Sequence, residues 1–67
     1  MDKLYALERA RDRMRVEFYK EERAGKMNYI IRETGHGSQD SVTTDPDAIA
    51  FFRQRLIDDG YMEVPFF

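Results

Sequence analysis

Along the first third of the chain, Leu4, Leu7, Met14 and Phe18 fall on one face of a helix. Arg11 occupies the remaining slot of a 3-4-3-4 spacing. No Pro or Gly interrupts residues 2–24, Asp2 suits an N-cap, and Gly25 suits the position just past a helix end. The pairs Glu8–Arg11, Asp12–Arg15 and Arg13–Glu17 lie three or four residues apart, where opposite charges meet on a helix surface. The spacing predicts one helix from the Asp2 cap to Gly25.

From residue 27 the period shortens to two. In "MNYIIRET" (27–34), Met27, Tyr29 and Ile31 point to one side and Asn28, Ile30 and Arg32 to the other. "GHGSQ" (35–39) is a turn, since its two glycines can supply positive φ. "DSVTT" (40–44) completes a β-hairpin. A second helix opens with Asp45 as N-cap, Pro46 at the first helical position and Asp47 in the first turn. Its buried stripe is Ile49, Phe52 and Leu56, with Ala48 and Phe51 at the edge, and Gly60 ends it. "YMEVPF" predicts a third strand with Met62, Val64 and Phe66 turned to the core; Pro65 marks an edge or the strand's end.

The expected fold is therefore α+β, in the order α-β-β-α-β. A small three-stranded sheet, order 2-1-3 through a right-handed crossover, carries two helices packed on one face. One small domain, residues 1–67, accounts for the whole sequence. Phe66 is then a core residue on the last strand, while Phe67 points the other way with nothing to cover it.

Composition changes this picture in one respect. A 67-residue chain buries only about 60% of its unfolded surface. Leu, Ile, Val and Phe supply 15 residues, so the core is thin. There is no cysteine and one histidine, which removes disulfides and leaves almost no route to a structural zinc site. Association with a second copy or another protein is the remaining source of stability. No apolar run approaches a membrane span, and residues 1–12 lack the apolar stretch of a signal peptide. A cytoplasmic protein that has no membrane partner is expected.

Charge is uneven. Residues 1–32 carry nine Lys/Arg against six Asp/Glu, and residues 33–67 carry two against seven. That polarity suits electrostatic steering of a partner or head-to-tail self-association.

Catalytic chemistry finds little footing. His36, Ser38, Asp40 and Ser41 share one flexible turn, whereas a triad needs three groups on a rigid frame. "GHGS" lacks the Gly-Lys-Ser/Thr end of a P-loop and leads into a strand. The acidic groups show no EF-hand spacing. No enzyme activity, cofactor or metal is expected.

Binding features are clearer. Tyr5, Val16 and Tyr19 form a second apolar stripe on the first predicted helix, with Arg9 and Arg13 beside it. Tyr and Arg are enriched at interface hot spots. Asp58 and Asp59 sit at a helix C-terminus, where negative charge is mildly unfavourable, and Phe67 adds apolar surface. Together these predict a non-enzymatic protein-protein interaction module. Its composition resembles that of small phage and mobile-element accessory proteins that bind and inhibit or modulate a host protein complex. Two other functions fit the same residues. One is a small nucleic-acid-binding regulator using the basic face of Arg9, Arg13, Lys20 and Arg23, against a sequence pI of about 5.3. The other is a homo-oligomeric structural subunit.

Overall fold

A computed structural model describes residues 1–35, 37–65 and 67. It contains β1 (Asp2–Arg9), β2 (Met14–Arg23), β3 (Lys26–Thr34), β4 (Ser38–Thr43), α1 (Pro46–Asp58) and β5 (Met62–Glu63). The strands form one five-stranded sheet in the order β4-β3-β2-β1-β5, antiparallel throughout. Only one helix is present among the described residues, and it packs on one face of this sheet.

The fold expected from the sequence is thus overturned in its first third. The predicted helix over 2–24 is instead the hairpin β1–β2. Two periods coexist there, and the shorter one prevails. Val16 and Phe18 on β2 alternate with Arg15 and Glu17, Tyr5 and Leu7 stand opposite them on β1, and aromatic and β-branched side chains favour strands. A helix on a sheet buries one stripe. As the central strand, β2 pairs on both sides and places Val16 and Phe18 in the core, at 2% and 0% exposure. The turn between the strands, residues 10–13, contains neither Gly nor Pro. Arg13 takes φ +58, and Asp12 accepts a hydrogen bond from the Met14 N–H at 3.4 Å.

Gly25 also has a different part from the one expected. Ala24 and Gly25 have φ of +53 and +77 and link β2 to β3 directly, with Arg23 opposite Lys26. Two successive positive φ values are what a type I′ hairpin turn requires.

The segments after residue 26 hold their expected types. β3 and β4 pair as a hairpin, and α1 begins at Pro46. The Asp45 side chain accepts the Asp47 N–H at 2.9 Å as N-cap. Ile49 is buried, Phe52 and Leu56 pack partly buried beside it, and Phe51 is 66% exposed. α1 ends in a Schellman motif. Tyr61 N–H donates to the Leu56 carbonyl at 2.9 Å and Gly60 N–H to that of Ile57 at 3.1 Å, with Gly60 at φ +96.

That cap settles which residue of the C-terminal segment enters the core. Tyr61 is buried against α1, and Met62, expected inside, is 75% exposed. The last strand is only two residues long and pairs antiparallel with β1, so the expected 2-1-3 order and its parallel crossover do not form. Phe66, expected in the core, lies outside the described residues.

Leu7, Val16, Phe18, Ile31, Ile49 and Tyr61 make the core between sheet and helix. The register shift between Lys3 and Tyr5 leaves Leu4 as the extra residue of a bulge on β1, and Leu4 packs against this same core. The opposite face has no helix over it.

Candidate interaction surface

The strand registers place three rows of side chains on the open face. Lys3, Tyr19, Ile30 and Val42 form one row; Ala6, Glu17, Arg32 and Asp40 the next; Glu8, Arg15, Thr34 and Ser38 the third. Their charges interlock. Arg15 donates to Glu8 at 2.6 Å and to Glu17 at 2.8 Å. Tyr19 donates its hydroxyl to Glu17 at 2.7 Å. Arg32 holds Asp40 through two parallel bonds of 2.9 and 3.0 Å, and its guanidinium lies 5.2 Å from the Tyr19 ring centre.

Proton affinities follow from these contacts. Burial pushes the Glu17 carboxyl up, but hydrogen bonds from Arg15 and Tyr19 outweigh it and hold Glu17 below its ordinary value. Burial, then donation to Glu17, raises the Tyr19 phenol. The hydrogen bonds from Arg32 lower Asp40. Each arginine in these rows is already engaged by a carboxylate.

Phe67 covers part of this face. Its ring lies 5.4 Å from that of Tyr19, with Lys3 Nζ and the Arg15 guanidinium each 5.4 Å from its centre. The chain reaches it along β1, where the Val64 N–H donates to the Ala6 carbonyl at 2.9 Å, and Pro65 follows. Phe67, left uncovered by the sequence analysis, therefore packs on its own sheet.

The eight residues singled out from the sequence do not form one surface. The helix face expected to carry Tyr5, Arg9, Arg13, Val16 and Tyr19 does not exist, and alternation along the strands divides these residues. Val16 and Tyr5 face α1; Val16 is buried, and the Tyr5 ring stacks 4.8 Å from Phe18 with Arg53 above it at 5.0 Å. Tyr19 lies on the other face and meets Phe67. Arg9 bridges Asp12 and Asp59, each at 2.7 Å, and lies over the Tyr61 ring at 4.7 Å. Asp59 at the end of α1 is thus explained within the chain, and Asp58 accepts from Gln54 at 2.9 Å. Arg13 occupies the β1–β2 turn.

Two clefts flank this framework. One of about 530 Å³ lies between Glu33 of β3 and Phe52, Arg55 and Leu56 of α1; another of about 590 Å³ lies where Arg9 and Arg13 approach Gly60 and Met62. Among the described residues no three His, Asp or Glu side chains gather as a metal site would require, and no helix is long and apolar enough to cross a membrane. His36 lies outside the described residues, so its expected turn position is not described.

The longer of the two edge strands, β4, was not singled out by the sequence analysis. β4 pairs with β3 on one side only, and five of its six residues are exposed. Val42, at the end of the Lys3–Tyr19–Ile30 row, is 64% exposed, while its neighbour Ile30 is buried. The visible signal was the short polar alternation "SQDSVT", whose position at an edge depends on a strand order that the sequence does not spell out. Compared with known proteins, the chain matches no family model, no curated protein and no solved structure.

Proposed function

We propose that this chain is a non-enzymatic protein-interaction module that takes a partner strand against β4. The observation that carries the reading is an open edge, six residues long, on a sheet whose other edge strand is two residues long. An unpaired edge presents a row of N–H and C=O groups ready to extend the sheet. Strand addition takes its affinity from main-chain hydrogen bonds and its selectivity from alternate side chains, here Ser38, Asp40 and Val42 on one face and Gln39, Ser41 and Thr43 on the other. The nucleic-acid reading gains nothing from the open face, where Arg15 and Arg32 are already paired with Glu8, Glu17 and Asp40.

Peptide display tests this. Immobilised wild-type chain should enrich extended, β-branched peptides, and binding should fall at least tenfold for Val42→Lys, because an edge lysine obstructs strand addition. Peptides that bind the Val42→Lys chain equally well would remove β4 as the contact.

A further inference from the structure

We infer that β4 pairs with β4 of a second copy, about a two-fold axis running through Val42 perpendicular to the sheet, giving one continuous ten-stranded sheet. The inference rests on the reading of β4 as the contact and adds the identity of the occupant.

Three considerations choose among axes at Asp40, Ser41 and Val42. Two antiparallel copies of one strand related by such an axis keep their faces, so residues opposite each other must share a face. The axis then passes through a residue rather than between two. An axis at Asp40 sets two carboxylates against each other, which is unfavourable. An axis at Ser41 sets each Asp40 against the methyl groups of the other copy's Val42. An axis at Val42 pairs Val42 with Val42, Ser41 with Thr43, and Asp40 with Thr44 just past the strand's end. Apolar then meets apolar, hydroxyl meets hydroxyl, and no like charges are apposed.

The neighbouring rows agree. On the open face Tyr19, Ile30 and Val42 lie side by side, and the axis at Val42 continues them as Val42, Ile30 and Tyr19 of the second copy. Val42, the exposed end of that row, becomes its covered centre. The Arg32–Asp40 pair stays within each copy. Because the axis keeps faces, both α1 helices lie on one side of the sheet. Arg53 reaches Glu63 on the β5 side of α1 and Arg55 lies toward Glu33 on the other. By helical spacing Phe51 shares the half of α1 that carries Arg55, which is turned to the seam.

Light scattering on a sizing column, across a concentration series, tests the pairing with the full chain. Wild type should run as a dimer. Val42→Asp and Val42→Lys should each run as monomers of unchanged circular dichroism, and an equal mixture of the two should regain dimer mass. In parallel, Val42→Cys, in a chain with no other cysteine, should oxidise to a covalent dimer at least tenfold faster than Ser38→Cys. A wild type that stays monomeric overturns the second copy. If the display selection has meanwhile enriched peptides that need Val42, strand addition at β4 stands with another protein as partner. A dimer that survives both charged variants overturns β4 as the seam.

Discussion

The two edges of this sheet are built on opposite plans. The β5 edge is protected by two devices. Its strand is two residues long and Pro65 removes a backbone donor just beyond it, while Phe67 anchors the segment that follows by packing on Tyr19. The β4 edge has none of these. It runs six residues without proline, lysine or bulge, and its one charge, Asp40, is turned inward to Arg32. Unprotected edges invite uncontrolled pairing, and the two edges of this sheet differ in how far they are protected against it. Elements at the two edges also differ in what they need. The β5 side is held by side chains from within the chain, whereas β4 is paired on one side only, with β3, among the described residues.

Phe67→Ala should break the comparison most strongly, by loosening the segment that follows β5. Loss of the Tyr19 contact and of partial burial should lower stability by about 1–2 kcal/mol. Urea denaturation gives the magnitude, and amide exchange gives the place. Protection should fall along β1 and β5 and hold along the β3–β4 ladder. Equal loss at both edges would mean that Phe67 supports the sheet as a whole.

A change at the centre of the sheet should leave both edges as they are. Ala24 holds a left-handed conformation that penalises a side chain by roughly 1–2 kcal/mol, and the type I′ turn it belongs to favours Asn before Gly. Ala24→Asn should therefore raise stability by about 1 kcal/mol in thermal melts, with association through β4 unaltered in sedimentation runs. A gain accompanied by altered association would show that the β2–β3 hairpin and the β4 edge are coupled.

How much of this was legible in the sequence follows from where the determining forces lie. Residues 26–58 carried local signals: period-two alternation into Gly35, then Asp45-Pro46 opening a helix that Gly60 closes, and these segments formed in the expected types, with β4 starting at Ser38 inside the expected turn. In residues 2–24 the local signal misled. Leu, Ala, Glu, Arg and Lys are good helix formers, and the β1–β2 turn held its positive φ on Arg13 instead of on a glycine. Strand pairing on both sides of β2 outweighed that preference, and pairing is a long-range term that propensity does not contain. The interaction residues failed for the same reason. Tyr5, Val16 and Tyr19 share a helix stripe but divide between two faces of a strand, and Val42 gained significance only once β4 was seen at an edge.

The smallest expected effect concerns Asp40, and it sharpens the comparison through pH. Hydrogen bonds from Arg32 depress the Asp40 pKa below its ordinary 3.8. A carboxyl whose folded pKa is depressed adds stability above its unfolded pKa and loses it as pH falls through the folded one. The gap in stability between wild type and Asp40→Asn should therefore be constant near neutral pH and close below about pH 4. Urea midpoints across a pH series check this, and a gap that persists well below that pH would remove the Arg32 pair as its source. Association provides the second half of the measurement. With the axis at Val42, Asp40 faces Thr44 of the other copy, so neutralising it should change the dimer dissociation constant less than threefold. Were the axis at Asp40, the same substitution would relieve two apposed carboxylates and tighten the dimer at least tenfold. The charge on the open edge would then act as a gatekeeper against pairing, as the devices on the β5 edge do, and the contrast between the two edges would be one of degree.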